Sequence, residues 1–501
     1  MSAPRSSFDV VVVGLSVGAL AAGALLARRG FRVAVLGHHA RPFRYEREGH
    51  ALYRDLGAVT AHESPAFRRV FAELGLLPAV RRRLAPLDPA WQVVLPRHRI
   101  DVPLARVVRV TEVLREFPEV TRAVEEFYDA LDAVEPDLDA LLDADLTWPP
   151  DGFWERRRAR GLADAVSPRP GSDPFAAFAT DHPFRAFVDA QVRFAGTGDP
   201  DRIDPLRRVR AHAVARAAML DGDERDGITR ALLEKVLQHG GEVRLRDAAG
   251  RIVQRRGRAV GVELSGIEEQ LGAEWILAGI DTTEVRRLLR DPDAPPPRGG
   301  LEGRVRSHRY VLNVVVHRDA LPVGMARRVF AVMDLARPLA EENLLAIEVA
   351  PGDGPEATLR VAALLPRALV EAGETLIRRV RARVLGALGR VVPFLAQHVL
   401  WVESPHDGLS PTGPGGAVVG PAVAAEPMEA LHELPASPLL GVCGAPLRGD
   451  VDRLLLPGRH ALPGFGLEGE LLSALSAARV ITRSDPSKER LRVELWSRVE
   501  S

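Results

Sequence analysis

The sequence predicts an α/β protein, and two stretches carry that expectation. Near the N-terminus, residues 10–13 are a β-branched run, residues 14–27 are a glycine, alanine and leucine block, and residues 31–36 are a second strand-like run. A strand, a tight glycine turn, a helix and another strand within about 30 residues make a βαβ unit with parallel strands. Beyond residue 300, residues 310–316, 329–333, 344–349 and 358–365 read as further strands. They are expected to form a second sheet behind a substrate pocket.

The first run also approaches the length of a membrane span. Asp9 precedes it, however, and its two halves differ in residue type. Arg28, Arg29 and Gly30 then lead directly into the second strand, so the βαβ reading is preferred to a span or a signal peptide.

The 501 residues allow two or three domains, and 46% hydrophobic content supplies a core. The 67 basic residues balance 67 acidic ones, which argues against a nucleic-acid binder acting through bulk charge. Cys443 is the single cysteine, so internal disulfides, zinc clusters and CxxC redox pairs are excluded. No metal site is expected, and a cytoplasmic location is. Lys235 and Lys488 are the only lysines, and the other 65 basic residues are arginines.

The turn after the first strand reads Gly14-Leu15-Ser16-Val17-Gly18-Ala19. Dinucleotide sites have GxGxxG or GxGxxA here. The first glycine makes the turn, the second admits the pyrophosphate, and the third lets helix and strand pack. Ser16 stands at the second position and Ala19 at the third. The helix N-terminus behind them offers N–H groups and a favourable dipole to a phosphate. At the end of the second strand an acidic residue would clamp a ribose. This chain has Gly37, then His38, His39, Ala40 and Arg41. A glycine with a nearby arginine accommodates a 2′-phosphate, which favours NADP; the alternative is a solvated surface arginine.

Four further segments, together with this turn, resemble the phytoene desaturase branch of the FAD-dependent amine-oxidase-like superfamily. They are Asp55-Leu56-Gly57-Ala58 after Gly49; Gly227 to Leu232 leading to Gly240-Gly241-Glu242-Val243; Ala259 to Leu264 with Trp275 to Ala278; and Leu454 to Gly458 followed by Pro463-Gly464-Phe465-Gly466-Leu467-Glu468-Gly469. The resemblance runs in order from residue 8 to about residue 482. It implies a Rossmann-like FAD/NAD(P)-binding domain with an interleaved substrate domain of β-sheet plus helices. The first would comprise 8–64, 222–290 and 447–483, the second 65–221 and 300–446, with 484–501 as a C-terminal tail. It implies FAD held by Gly14, Ser16, Gly18, Ala19, Gly458, Gly464, Gly466 and Gly469. The last three glycines let backbone approach a flat ligand, and the helix behind them aims its positive end at it.

The chain departs from the family at the ligand contacts. A Gly-Gly-Arg turn is replaced by Ala40-Arg41-Pro42-Phe43-Arg44-Tyr45, and a Gly-acidic pair by Gly458-Arg459. Arg41 and Arg459 therefore put positive charge where carboxylates are expected, and either suits a phosphate.

His460 and Glu468 lie in the loop facing the presumed flavin and are the acid/base candidates. Neither lysine matches the superfamily's amine-oxidase lysine. The resemblance thus implies an FAD-dependent oxidoreductase that desaturates or isomerises a hydrophobic, isoprenoid-like substrate. The alternatives are a pseudoenzyme acting as an interaction or scaffold protein, and an NADP-binding reductase.

Residues 65–165 read as helices, with Val120, Val124, Phe127, Leu131 and Val134 in helical period. Phe153-Trp154 beside Arg156, Arg157, Arg158 and Arg160 is either a peripheral membrane contact or a helix packing both aromatics inward. Residues 175–194 read as a helix whose Phe178, Phe184, Phe187 and Phe194 line a greasy cavity or form core. Residues 291–303 read as a linker, 369–388 as a helix and 404–427 as an extended loop.

Overall fold

The computed structural model describes residues 6–57, 60, 63–150, 152–166, 175–201, 208–210, 219–220, 224–289, 305–433 and 443–488. In chain order the strands begin with β1 (Ser6–Val13), β2 (Val33–Leu36), β3 (Arg44–Arg47), β4 (His50–Tyr53), β5 (Ala85–Pro86), β6 (Trp91–Leu95), β7 (His98–Val102) and β8 (Met219–Leu220). Next come β9 (Glu242–Arg244), β10 (Ala249–Arg255), β11 (Arg258–Leu264) and β12 (Gln270–Ala278). The rest are β13 (Val305–His317), β14 (Arg328–Val332), β15 (Leu344–Val349), β16 (Glu356–Pro366), β17 (Val399–Glu403), β18 (Glu429–His432) and β19 (Leu454–Leu455). The helices are α1 (Val17–Arg28), α2 (Pro65–Glu73), α3 (Leu77–Arg83), α4 (Arg106–Glu116), α5 (Thr121–Asp143), α6 (Phe153–Val166) and α7 (Pro183–Arg193). They continue as α8 (Glu224–Gln238), α9 (Thr282–Leu289), α10 (Arg367–Glu371), α11 (Glu374–Val391), α12 (Leu395–His398) and α13 (Gly466–Thr482).

The first sheet runs β10-β11-β12-β1-β2-β9, with β19 parallel to β12. β1 lies parallel to both β2 and β12, as the βαβ reading requires. Val10 to Val13 are fully buried because the sheet is covered on both faces. Val10, Val12, Val33 and Val35 pack toward Leu20, Ala24 and Leu25 of α1. The alternate residues Val11, Val13, Ala34 and Leu36 pack with Ile252 and Val262 of the β10–β11 hairpin and with Val285 and Leu288 of α9. Small residues let α1 lie close on the sheet: a Cβ at Gly23 would sit 3.0 Å from Val12 Cγ2.

The second sheet runs β17-β13-β16-β15-β14-β6-β7, with β18 on β13. Leu312, Val314, Val361 and Ile347 face Val380, Val384 and Leu388 of α11. The opposite face, with Phe330, Leu344 and Leu364, joins the helical core. This Rossmann-like sheet and helix layer, with a second sheet domain interleaved through the chain, is the fold class the sequence predicts.

Several element expectations need correction. Residues 65–165 are not all helix, because β6 and β7 form a hairpin whose β6 edge joins β14 in parallel. Helix α7 starts only at Pro183, with residues 175–182 in turns. The span read as one helix over 369–388 is α10 and α11, broken at Gly373, whose φ is +100°. Hairpin β3–β4 lies in the segment assigned to the nucleotide domain yet docks on the second sheet. There Tyr53 N–H donates to Asn313 Oδ1 at 2.9 Å, and Asn313 Nδ2 donates to the Tyr53 carbonyl at 2.8 Å. The linker at 291–303 lies outside the described residues.

The phenylalanines of 175–194 form core rather than line a cavity of substrate size. Phe178 stacks on Phe184 at 4.4 Å, and Phe127 meets Phe184 edge-on at 5.2 Å. The cavity beside them, lined by Trp91, Phe127, Tyr128 and Phe187, holds only about 20 Å³. Phe153 and Trp154 point outward, 69% and 75% exposed, which removes the inward-packing reading. Among the described residues, no helix is long and apolar enough to cross a membrane, and no group of side chains could hold a metal.

Candidate cofactor site

The cradle is built where β1 ends and α1 begins. Gly14 has a φ of +91°, and a Cβ there would lie 2.5 Å from Ile280 Cγ2 and 2.7 Å from the Gly279 carbonyl oxygen. Ser16 caps α1, its Oγ accepting the Ala19 N–H at 3.3 Å. Both Ser16 and the buried Ala19 press on Gly279, where a Cβ would sit 2.7 Å from Ser16 Oγ and 2.5 Å from Ala19 Cβ. A Cβ at Gly18 would sit 2.9 Å from Gly458 Cα. The glycines of this turn therefore serve close backbone packing within the chain.

The Gly18 N–H donates to Glu470 Oε2 at 3.2 Å. Glu470 is the fifth residue of α13, and through it a carboxylate of the chain occupies the N-terminus of α1. That is the place and the charge a phosphate would take.

At the end of β2, a Cβ on Gly37 would lie 2.0 Å from the Leu245 carbonyl oxygen. The lost ribose-clamping carboxylate is thus explained by backbone crowding. His38 and His39 follow in left-handed conformations, with φ of 48° and 61°. His38 Nδ1 accepts the Ala249 N–H at 3.1 Å and Nε2 faces Glu284 Oε1 at 3.0 Å. Burial holds the His38 imidazole below its ordinary pKa. Arg41 is exposed and pairs with Glu426 at 2.8 Å, a carboxylate that also binds Arg54. Gly37→Asp, the substitution that would restore a clamp by sequence logic, is expected to cost about 1–3 kcal/mol of stability through overpacking. It should gain no nucleotide affinity; urea denaturation and a thermal shift with NADP measure the two effects.

Arg459 pairs with Glu429, and Glu470 and Asp281 raise its pKa further. Glu429 also binds Arg309 at 3.2 Å. Arg309, 5% exposed, reaches Asp55 at 3.2 Å and the Gly196 carbonyl at 2.8 Å. The result is an internal chain of alternating charge, Asp55–Arg309–Glu429–Arg459, with Glu470 and Asp281 beside it. The expected excess of positive charge at the cradle is therefore corrected: Arg41 and Arg459 are each taken up by a carboxylate of the chain.

His460 Nε2 lies 3.2 Å from Asp281 Oδ1, and its ring meets His432 edge-on at 5.5 Å. Glu468 is fully buried, with both oxygens bound by Arg210, which also holds Asp139. Those carboxylates raise the pKa of Arg210. Glu468 thus ties α13 to α5 through Arg210. Gly464 and Gly466 lie against the backbone of Gly196, where a Cβ would sit 2.2 Å from the Pro463 carbonyl oxygen. A Cβ on Gly469 would meet the Leu462 carbonyl oxygen at 2.3 Å. Lys235 and Lys488 bond to Gln238 and to the Gly30 carbonyl, away from this cluster. Sequence reasoning missed Glu470, Glu429, Asp281 and Arg309.

These residues do not fit a bound dinucleotide. Two of the first N–H groups of α1 are already bonded to Glu470 and Ser16.

No protein-family model and no curated protein sequence matches the chain. Solved structures do. An oxidoreductase from Methanosarcina mazei superposes with a TM-score of 0.60 at 12% identity, over 94% of this chain and 99% of its own. A putrescine oxidase redesigned in its cofactor binding gives 0.56 at 15%, over 95% and 99%. A protein from Pyrococcus furiosus gives 0.54 at 13%, over 94% and 97%. Identity this low speaks to fold alone, and the agreement spans nearly the full length of each chain. The protein therefore shares the Rossmann-type fold of these solved structures, an oxidoreductase and a putrescine oxidase among them.

Proposed function

We propose that this protein is a catalytically inactive protein of flavoprotein fold that works by binding a partner. The observation that carries the reading is the Glu470 carboxylate on the Gly18 N–H. A diphosphate entering the cradle would have to displace that carboxylate, and two anions at one helix N-terminus repel.

A second reading, a flavin-dependent oxidoreductase acting on a hydrophobic substrate, is favoured by one observation. The Gly18 N–H at the start of α1 already holds a carboxylate, that of Glu470. A helix N-terminus that holds one anion suits another. The NADP reading rested on Arg41, which is engaged with Glu426.

An absorbance spectrum of the purified protein and thermal melts with FAD and NADPH separate these. The expected result is no flavin band and no shift with either nucleotide. A yellow protein would overturn the proposal. So would stabilisation that grows with FAD, reaching about 2.7 kcal/mol at roughly 100-fold the Kd. Glu470→Ala, which frees the Gly18 N–H, is the variant in which nucleotide binding should first emerge.

A further inference from the structure

We propose that α6 docks the protein on an anionic lipid bilayer. The helix buries a narrow face of small residues, Ala159, Ala163 and Val166. At about 100° per residue, Trp154 and Arg157 stand opposite that face, with Phe153, Arg158 and Arg160 on either flank. Phe153 is 69% exposed and Trp154 75%. Arg156, Arg157, Arg158 and Arg160 are all exposed, and among the described residues none forms an ion pair or a side-chain hydrogen bond.

A cleft of about 360 Å³ opens beside the start of α6, lined by Gly152, Glu155, Thr147, Arg448, Arg479 and Arg483. Asp145 pairs with Arg479 and Arg483 at its edge.

Charge complementarity selects the occupant. Unneutralised guanidinium groups call for an anionic surface. A Phe-Trp pair exposed between them suits the headgroup layer, where aromatic rings bury and long cationic side chains reach phosphates. A nucleic acid would use the arginines but leave both rings idle, and the overall charge of the chain is zero. The proposal goes beyond the cofactor reading and is independent of it, because no residue of α6 belongs to the cradle.

Co-sedimentation of the full chain with phosphatidylcholine vesicles, with and without phosphatidylserine, tests it. Binding is expected only with phosphatidylserine and should weaken at high salt. Arg156→Gln, Arg157→Gln, Arg158→Gln and Arg160→Gln should each reduce partitioning about fivefold. Phe153→Ser with Trp154→Ser should abolish it. All these positions are exposed, and unchanged urea midpoints show that the variants stay folded. Absent sedimentation, equal binding to both vesicles, or binding that the six substitutions leave unchanged would overturn the proposal. Capture by an acidic protein or by DNA without vesicle binding would do the same.

Discussion

Replacing Arg309 by methionine is expected to cost about 3–5 kcal/mol of folding stability. Arg309 leaves β13 in the second sheet and bridges Asp55 and Glu429 in the charge chain. Arg459, which follows β19 of the first sheet, continues that chain through Glu429. Removing the guanidinium takes a shared cation from two carboxylates, 13% and 14% exposed, of which Glu429 keeps its contact with Arg459. Leaving one member of a buried pair uncompensated costs more than the pair itself contributes. The double variant Arg309→Met with Glu429→Gln should therefore recover part of the loss. Urea denaturation of the single and double variants measures both steps. A loss near that of an exposed ion pair, below about 1 kcal/mol, would show that the network does not join the two sheets.

Arg29→Met is expected to cost a similar 3–5 kcal/mol. Arg29 caps the C-terminus of α1, and its fork grips Glu73 of α2 through two bonds of 2.9 and 3.0 Å. Its remaining amine donates to Thr482 Oγ1 at the end of α13 at 3.1 Å. Three helices thus meet on one guanidinium group, with the arginine and glutamate side chains 2% and 3% exposed. Lysine should not rescue it, since a point charge cannot reproduce a bidentate fork and a third bond. Arg29→Met with Glu73→Leu should return most of the stability, because an apolar pair of similar volume suffers no desolvation. Denaturation midpoints of Arg29→Met, Arg29→Lys and the double variant decide the matter. Full rescue by lysine would mean that charge alone, without the fork, holds the junction.

Much of the fold was legible in the sequence. The strands beyond residue 300 are long apolar runs bounded by charged or turn residues, and β15 falls on residues 344–349 as read. The β1–α1–β2 unit was equally plain, because residues buried on both faces of a parallel sheet have little alternative to being β-branched. The β6–β7 hairpin was not legible. Its Trp91–Leu95 segment is short, sits between helices, and becomes a strand by pairing with β14, more than 200 residues away. The outward turn of Phe153 and Trp154 was hidden for a related reason. Which face of α6 is buried is set by the neighbour that covers it, and Ala159 and Ala163 fit there where large rings would not.

The candidate site shows the same division more sharply. By itself the sequence determined that a βαβ unit with a degenerate glycine turn would form, and that Gly37, Arg41 and Arg459 would stand where a nucleotide-binding chain has other residues. Local backbone requirements and residue identity suffice for that. Only the tertiary structure decided what those residues do. Gly37 is a glycine because the Leu245 carbonyl leaves no room for a Cβ. Arg459 answers Glu429 instead of a phosphate. Gly18 is met by Glu470, 452 residues away in the chain. Charge and space act through distance in three dimensions, and no spacing along the chain encodes them.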